Sequence, residues 1–460
     1  MSQTLPQRSL QAVWHPCTQM QRAAHVPPLA MVRGAGPWLF DEDGHRYFDT
    51  SSSWWVNLFG HADADINAAL KDQLDRLPHV MLAGCTHPPA VELAERLADR
   101  TGHVLGHCFF GSDGASAVEI ALKMSVHYWR NSGQMDKSEF VCLRQSYHGE
   151  TLGALAVTDV ALFRDAYDPL LMRAHQVMSP DARQAQQGET AADVARRAVA
   201  ELRALFEARA DHIAALILEP LVQAATGMAF YDPVYLREAR ALCDAHDVLL
   251  IADEIAVGYG RTGTFFAFEQ ATVAGQTPIW PDLLCLSKGI TGGYLPLSVV
   301  LCRDAIYAAF LDDDLARGFL HSHSYSGNAL ACRAALAVLD HFRDHAVLQT
   351  NQQQALLLTE ALAPLGDDPR LAHVRQIGMI WAFDVHEAFS GPRFAERFHL
   401  AGRARELLIR PIGRTVYLMP PYVLNASLSS WLAGQVRATL DDVIHQANPG
   451  AHRPSEPAVA

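Results

Sequence analysis

Residues 115–303 carry the pattern that most constrains the fold, because short apolar runs of strand length alternate there with longer segments of helical periodicity. This alternation predicts an α/β fold, in which helices cover both faces of a mainly parallel sheet. The predicted strands are 140–143, 214–218, 248–252, 283–286 and 297–301, and the predicted helices are 115–129, 192–209, 233–246 and 329–341. Ligands of such sheets bind beyond the carboxyl ends of the strands, so the residues that follow these runs are the first candidates for a functional site.

The two ends of the chain differ from this central region. Segments 1–70 and 340–447 switch between short strands and helices, which predicts that they form one smaller α+β domain together with the N-terminal segment. Residues 71–339 then form the large domain. The tail 448–460 is rich in proline, histidine and alanine, a composition typical of disordered segments.

Charge and hydropathy argue against several classes of partner. The formal net charge of −13 gives a nucleic acid or an anionic membrane no electrostatic reason to bind. No apolar stretch approaches the roughly 20 residues that span a bilayer, and residues 1–13 lack the apolar core of a secretory signal. The eight cysteines are scattered singly and the 22 histidines show no known ligand spacing, so we expect a cytoplasmic protein with free thiols and no bound metal.

Two of the predicted strands end in residues that suit Schiff-base chemistry. The first ends at Asp253 and Glu254, where a buried carboxylate needs a cationic partner such as a protonated ring nitrogen. The second ends at Lys288, an amine that can lose its proton when shielded from water and then attack an aldehyde. The turn 289–293 is Gly-Ile-Thr-Gly-Gly, which lets the backbone approach a ligand closely. A lone lysine after a strand is more often solvated, and its pairing with Asp253 is what favours a functional role.

Three further loops give weaker signals. A Gly/Ser turn runs into a predicted helix and presents free N–H groups at Gly114 and Ala115 for a phosphate, although an N-capped helix after a tight turn is the commoner explanation. Tyr147 follows another strand and offers a flat face to a pyridine ring, although a packed core tyrosine is the simpler alternative. The hydroxyl-rich loop 321–328 holds Ser324, which is either a phosphate ligand or part of an N-cap.

Two motifs, Asp253-Glu-Ile-Ala-Val-Gly-Tyr-Gly-Arg-Thr-Gly263 and Leu286-Ser-Lys-Gly-Ile-Thr-Gly-Gly293, resemble those of the class III (ω-type) aminotransferases of PLP fold type I. The resemblance covers about residues 12–442 and implies an aspartate aminotransferase-like fold, the cofactor pyridoxal 5'-phosphate (PLP) and a homodimer with shared active sites. It further implies that Lys288 holds the cofactor as a Schiff base and that Asp253 faces the ring nitrogen. The other implied cofactor contacts are Gly114, Ala115, Tyr147, His323 and Ser324, the last in a loop that the partner subunit contributes.

A narrower resemblance links the chain to class III members of biotin biosynthesis, through residues 14–20, 51–55, 79–88 and 410–422. It implies 8-amino-7-oxononanoate as the amino acceptor and S-adenosylmethionine as the donor. The implied substrate contacts are Cys17, Trp54, Trp55, Tyr147, Ser322 and Arg410. A long methylene chain that ends in a carboxylate needs an apolar wall and a distant cation, which two tryptophans and an arginine supply. The alternatives for these residues are core packing and a surface salt bridge.

The chain departs from the family pattern at several positions. Cys17 stands where the pattern has a substrate-recognising tyrosine, so a hydroxyl and an aromatic wall are missing. Ala115 replaces a serine and Ser324 replaces a threonine in the phosphate site. Residues 224–225 are alanines, whereas many relatives hold a glutamate nearby that gates the arginine matching Arg410. An ungated arginine favours substrates that both carry a carboxylate.

Two rival functions remain open at this point. A broad ω-amino acid:pyruvate aminotransferase would share every cofactor residue and differ only in the substrate pocket. A catalytically silent relative that acts as a binding protein would be expected to lack Lys288 or Asp253, and both are present. The donor is open as well, because lysine replaces S-adenosylmethionine in some relatives.

Overall fold

The computed structural model describes residues 3–447, so the tail predicted to be disordered, 448–460, lies outside the described residues. Its strands are, in chain order, β1 (Met31–Ala35), β2 (Trp38–Asp41), β3 (Arg46–Asp49), β4 (His107–Gly111), β5 (Glu139–Leu143), β6 (His175–Val177), β7 (Ile213–Leu218), β8 (Val222–Gln223), β9 (Ala229–Phe230), β10 (Leu249–Asp253), β11 (Leu283–Leu286), β12 (Ser298–Cys302), β13 (Leu371–Ile377), β14 (Ile380–Val385), β15 (Leu407–Leu408) and β16 (Thr415–Leu418). In this part of the chain no helix has the length and hydropathy to cross a membrane.

The central sheet has seven strands in the order β4-β12-β11-β10-β7-β5-β6. The strands from β11 to β6 pair in parallel, whereas β12 runs antiparallel to both of its neighbours. The predicted α/β fold with a mainly parallel sheet is therefore confirmed, and the ends of all five predicted strands lie within one residue of observed ends. The sequence pattern misses the outer strands β4 and β6, because three of the five residues of β4 and two of the three residues of β6 are only partly buried.

Helices cover both faces of this sheet. Alternate residues of β10 enter two separate apolar clusters, Leu250 and Ala252 on one face and Leu249 and Ile251 on the other, and all four side chains are buried. Outside the turn Ser52–Trp55, the α-helices are Leu5–Ala12, Ala64–Leu74, Pro88–Arg100, Gly114–Asn131, Leu152–Ala156, Ala161–Arg164, Ala191–Arg209, Val234–Ala245, Asp304–Ala308, Ala329–Asp344, Val347–Leu362, Glu387–Ser390, Phe394–Arg403 and Ala426–Ala447. The four predicted helices agree with these bounds to within three residues.

Two smaller sheets are built from the ends of the chain. One has the order β1-β2-β3-β15 and joins N-terminal strands to a C-terminal one, since Leu407 and Leu408 pair in parallel with Phe48 and Asp49. The other, β13-β14-β16, is antiparallel and wholly C-terminal. This arrangement agrees with the idea of a smaller domain from both ends, and its boundaries near 70 and 340 stay predictions.

The parallel strands bring the predicted site residues to one edge of the central sheet. β10 ends at Asp253, and Lys288 follows β11 after one intervening residue. Glu219 directly follows β7, and Tyr147 lies four residues beyond β5. At the same edge β4 leads into the helix that begins at Gly114. A functional site at the carboxyl ends of the strands, as the sequence predicts, follows from this topology.

Candidate active site

Lys288 is largely buried, and its amine lies over an aromatic ring. Its Nζ is 4.4 Å from the ring centroid of Trp55, which is itself almost completely buried. Burial lowers the pKa of Lys288 to about 8, although the charges of Asp253 and Glu219 oppose that shift. Across residues 3–447 its Nζ makes no hydrogen bond. A pKa of about 8 leaves roughly a tenth of this amine neutral at pH 7, far more than for an ordinary lysine, and the neutral form is the nucleophile.

Asp253 is buried and held in one orientation by two donors. Its Oδ2 accepts a hydrogen bond from Nδ1 of His148 at 2.7 Å, and its Oδ1 accepts one from the backbone N–H of Ile255 at 3.1 Å. The imidazole of His148 is inaccessible to solvent, and its Nε2 has no partner in the described chain. Each carboxylate oxygen has two lone-pair sites, so Asp253 can still accept a bond from a protonated ring nitrogen.

A second buried carboxylate, Glu219, lies beside this pair. It accepts hydrogen bonds from the backbone N–H groups of Tyr147 at 3.0 Å and Ala224 at 3.1 Å. Burial raises the pKa of Glu219 to about 7; the charge of Asp253 also raises it, while His148 lowers it. Glu219 thus fixes the backbone of the loop that carries Tyr147, and places a group that changes its charge near neutral pH next to Lys288.

The Tyr147 ring lies over this edge of the sheet and is held at both ends. Its hydroxyl donates to Oε1 of Glu150 at 2.9 Å, and its ring packs edge-on against Phe163 with centroids 5.6 Å apart. Burial, and next the bond to Glu150, raise the pKa of the Tyr147 phenol well above its ordinary value. The tyrosine therefore stays neutral and offers a flat, rigid face.

The helix Gly114–Asn131 provides the expected phosphate cradle. Asp113 caps it by accepting the N–H of Ser116 at 2.9 Å, which leaves the first two N–H groups, of Gly114 and Ala115, for a ligand. A Cβ atom on Gly114 would lie 3.0 Å from a methyl group of Ile255. Close packing of this turn against the loop after Asp253 is thus what requires glycine at position 114.

The loop 321–328 is only partly joined to this site within one chain. Nδ1 of His323 lies 3.1 Å from Oγ of Ser112, in the turn before the phosphate cradle. Ser322 and Ser324 are exposed, and among the described residues no hydrogen bond links their side chains to the rest of the predicted site. The following helix is capped by Asn328, so the alternative of an N-cap at Ser324 is wrong.

The turn Ser52–Trp55 is left-handed. Its residues have φ values of 51°, 49°, 74° and 72°, and Trp55 N donates to Ser51 O at 2.7 Å. Such a conformation costs about 1–2 kcal/mol for each L-residue, so outside contacts must stabilise the turn. It separates the two indoles: Trp54 is 48% exposed, whereas Trp55 is 5% exposed and donates from Nε1 to the Tyr417 hydroxyl at 3.2 Å.

Arg261 ties the same turn to the large sheet. Its fully buried guanidinium donates to Oγ of Ser52 at 3.0 Å and to the carbonyl of Asn57 at 2.7 Å, and also to the carbonyl of Pro420. Burial lowers the pKa of Arg261, although the charges of Tyr422 and Asp49 oppose that shift; within residues 3–447 no carboxylate forms an ion pair with it. This arginine lies in the motif 253–263, yet only the structure shows that it positions the tryptophan turn.

Arg410 and Cys17 lie at the mouth of the site with Trp54. The guanidinium carbon of Arg410 is 5.7 Å from the ring centroid of Trp54, and no carboxylate in the described chain forms an ion pair with Arg410. The alternative of a surface salt bridge is therefore wrong. Burial raises the pKa of the Cys17 thiol, as does the charge of Glu150, while Arg410 lowers it. The cysteine thus lies among these groups, where the family pattern has a tyrosine.

The glycine-rich turn after Lys288 packs closely against the segment that follows Trp55. A Cβ atom on Gly293, where φ is +89°, would lie 3.1 Å from both N and Cα of Asn57. One on Gly289 would lie 3.3 Å from Leu58. Glycine is needed at these positions because the backbone after Trp55 packs against this turn, and a close approach of the turn to a ligand stays a prediction.

The sequence does not predict the roles of three residues that hold the site together. His148 and Glu219 contact Asp253 and Tyr147 through side chains whose direction no spacing reveals, although both lie just after strands. Arg261 acts on a segment some two hundred residues away in the chain. An uncompensated buried charge beside a strand end is the signal that a sequence can offer for such residues.

Comparison with known proteins agrees with this geometry. The sequence profile described as aminotransferase class-III matches residues 19–440. The protein therefore belongs to the class III aminotransferases, and the resemblance seen in its motifs is confirmed.

Individual relatives are more specific. A Helicobacter pylori protein named adenosylmethionine-8-amino-7-oxononanoate aminotransferase is 41% identical over 426 residues, which cover 90% of this chain and 93% of that protein. The solved structure of the enzyme of the same name from Methanocaldococcus jannaschii has a TM-score of 0.86 at 31% identity, covering 95% of this chain and 98% of that one. A solved amine transaminase from an uncultivated Pseudomonas species, in a PLP-bound form, has a TM-score of 0.85 at 31% identity, covering 95% and 99%.

Proposed function

We propose that the protein transfers an amino group to 8-amino-7-oxononanoate, forming 7,8-diaminononanoate in biotin biosynthesis, with PLP as cofactor and S-adenosylmethionine as donor. The observation that carries this proposal is that Arg410, which has no ion-pair partner within residues 3–447, lies over the half-exposed ring of Trp54. A free cation beside an apolar wall suits a substrate with a methylene chain and a carboxylate. The names of the relatives from H. pylori and M. jannaschii support this particular substrate.

The residues present fit PLP. Lys288 offers a largely buried amine that has no hydrogen-bond acceptor in the part of the chain that the structure describes, and Asp253 offers a fixed carboxylate with free lone pairs. Gly114 and Ala115 would hold the phosphate through N–H groups at a helix N-terminus, and Tyr147 would cover the ring. When bound, PLP supplies an aldehyde carbon for amines and a ring that takes up the electron pair left when the substrate Cα–H bond breaks.

The side chains of the site then divide the remaining work. Lys288, once free, takes the proton from the substrate Cα and returns it on the other side of the transfer, since its lowered pKa allows both steps near neutral pH. Asp253, fixed by His148, holds a proton at the ring nitrogen. Arg410 binds the carboxylate of each substrate, and Trp54 covers the methylene chain. Burial of Lys288 and Trp55 keeps water from the amine.

An assay of acceptors and donors tests this proposal against its rival. We expect mass spectrometry to detect 7,8-diaminononanoate when the PLP-loaded enzyme receives 8-amino-7-oxononanoate and S-adenosylmethionine. The likeness to an amine transaminase favours a broad ω-amino acid:pyruvate aminotransferase as the second candidate. Turnover of β-alanine with pyruvate, without conversion of 8-amino-7-oxononanoate, would establish that rival. Product formation with lysine but not with S-adenosylmethionine would show that the proposed donor is wrong and leave the proposed acceptor unchanged.

A matched pair of arginine variants tests the carboxylate site. Arg410→Gln should raise the KM for 8-amino-7-oxononanoate about a hundredfold, because it removes the cation proposed to bind the carboxylate. Arg414, in the same loop, is 4.0 Å from Glu387 and serves as the control. Arg414→Gln should leave the KM unchanged, and equal effects of the two substitutions would contradict the assignment.

We also propose a homodimer in which the loop 321–328 completes the partner's site. This loop carries exposed Ser322 and Ser324. Two apolar side chains, Leu320 just before the loop and Tyr325 within it, are 72% and 65% exposed, as expected of a surface that a second copy covers. Light scattering should give twice the 50.5 kDa mass of one chain. Full activity from a monomer would contradict shared sites.

The cytoplasm is the compartment that we propose for this enzyme. Its eight cysteines are all free thiols, and five of them are buried. A reducing compartment keeps such thiols from pairing. Alkylation of freshly lysed cells without reductant should label the exposed Cys17 and Cys85, and a disulfide involving either would contradict this location.

A further inference from the structure

A buried aspartate at the end of β3 hydrogen-bonds to both the backbone and the side chain of Ser53 in the left-handed turn. Asp49 is fully buried; its Oδ1 accepts the backbone N–H of Ser53 at 2.8 Å, and its Oδ2 accepts the Ser53 hydroxyl at 2.6 Å. Nε2 of His61 lies 2.9 Å from the same Oδ2. Asp49 thus holds both the backbone and the side chain of the residue before Trp54.

The imidazole of His61 is itself fixed from the other side. Gly60 N donates to Oδ1 of Asn57 at 2.7 Å, so the amide nitrogen of Asn57 faces Nδ1 of His61 at 3.2 Å. Nδ1 therefore accepts, and Nε2–H donates to Asp49. The backbone of His61 pairs with Gly36 through N–O distances of 2.7 and 3.0 Å, and a Cβ atom on Gly34 would lie 2.6 Å from His61 Cβ.

The geometry points to Asp49 and His61 as positioning residues of the proposed reaction: they hold Ser53 left-handed, so that the Trp54 ring faces the mouth of the site beneath Arg410 while Trp55 faces Lys288. The side chains of Ser52 and Trp55 are bound separately, by Arg261 and Tyr417. Ser53 and Trp54 depend on the Asp49–His61 pair, since Trp54 itself touches only Arg410 among the ring contacts of the described chain. This inference rests on the proposed function, in which Trp54 lines the substrate pocket.

Asp49→Asn tests the role of the pair. The amide has the same shape, but its NH₂ group cannot accept from the Ser53 hydroxyl or from His61. We expect the KM for 8-amino-7-oxononanoate to rise about tenfold while kcat changes less than about threefold and bound PLP is unchanged. The control is Asp63→Asn, which alters another aspartate–histidine pair, 3.0 Å from His341 and outside the site, and should leave both constants unchanged.

A rescue experiment separates positioning from a general loss of folding. Glycine adopts positive φ without strain, so Ser53→Gly added to Asp49→Asn should lower the raised KM part of the way back to the wild-type value. Ser53→Ala, which removes only the hydroxyl bond, gives a milder test and should raise the KM about threefold. A merely structural role predicts a lower melting temperature and a lower kcat at constant KM, with no recovery in the double variant; that result would overturn the inference.

Near-ultraviolet circular dichroism tests the inference without any substrate. Because the indole of Trp54 would lose its fixed orientation, Asp49→Asn should change the tryptophan bands, and Asp63→Asn should not. If the wild-type enzyme did not convert 8-amino-7-oxononanoate, the proposed function would be wrong, but the comparison of spectra would still test whether Asp49 positions Trp54. Identical spectra for Asp49→Asn and the wild type would overturn it.

Discussion

Two buried lysines lie at opposite edges of the central sheet, and only one of them is free to react. Lys137 precedes β5, and its Nζ donates to the carbonyls of Ala210 and Asp247 at 2.8 Å each and lies 4.6 Å from the ring centroid of Trp129. Lys288 follows β11 and also lies over an indole, that of Trp55. Within the described chain, however, its Nζ has no hydrogen-bond acceptor.

The difference between them shows what makes a buried amine functional. Burial lowers the pKa of both lysines, so a lowered pKa alone does not distinguish them. The ammonium group of Lys137 donates hydrogen bonds to carbonyl groups at the ends of neighbouring elements, which gives this lysine a structural role. Lys288 is desolvated near Asp253 and Glu219 without being bonded to either, which leaves its lone pair available.

Lys288→Ala should have the largest effect on the reaction. We expect loss of covalently bound PLP and a fall in kcat of at least about a thousandfold, since one residue supplies both the attachment point and the proton carrier. Absorbance of bound cofactor and steady-state kinetics measure these changes. Lys71→Ala, at an exposed helix position, is the control and should retain both signals. Retained turnover in Lys288→Ala would contradict the assignment.

Lys137→Met should give the opposite profile. Two carbonyl groups would lose their donor in partly buried contacts, so the free energy of unfolding should fall by about 1–3 kcal/mol while bound PLP and kcat persist. Urea denaturation followed by circular dichroism measures the loss. If Lys137→Met removed PLP and left stability unchanged, the contrast between the two lysines would be wrong.

Asp253→Asn should lower kcat about a hundredfold, because a neutral amide no longer holds a proton at the ring nitrogen. The same substitution removes a charge that raises the pKa of Lys288. Asp282→Asn is a matched control, since Asp282 is an aspartate near the opposite end of the sheet, paired with Arg240. It should affect stability and not kcat; an equal loss of kcat in both variants would contradict the role of Asp253.

The pH dependence of cofactor capture tests the state of Lys288 directly. The amine reacts when neutral, so the rate at which the apoenzyme attaches PLP should rise as the pH passes through about 8 and then level off. In Asp253→Asn the midpoint should move to lower pH, because a charge that favours the protonated amine is gone. A midpoint near the ordinary lysine pKa of about 10.4 would show that Lys288 is not desolvated.

Gly293→Ala should have a smaller effect, on stability. Its φ of +89° and the 3.1 Å approach of Asn57 to an added Cβ predict a loss of about 1–3 kcal/mol in urea denaturation. Gly434 lies exposed in a helix with no atom near an added Cβ, so Gly434→Ala should stabilise by up to about 1 kcal/mol. Equal changes in the free energy of unfolding for the two variants would contradict the claim that close packing requires glycine at position 293.

The sequence predicts the site at the carboxyl ends of the strands well, because each part of that site depends on residues that are close together in the chain. At Asp253 and at Lys288, the apolar run that forms the strand, the point where the strand ends and the reactive side chain are neighbours in the sequence. The turn Ser52–Trp55 is different, since no residue preference favours four successive left-handed residues without glycine. Its conformation depends on Asp49, Arg261 and Tyr417, which only the tertiary fold brings together.

One measurement tests the central claim most directly. The chain has four lysines, Lys71, Lys123, Lys137 and Lys288, so borohydride reduction of the PLP-loaded enzyme followed by peptide mass spectrometry leaves few alternatives. The structure predicts a pyridoxyl group on Lys288 and an unmodified Lys137. A pyridoxyl group on any of the other three lysines, or on none, would contradict the account of how this site works.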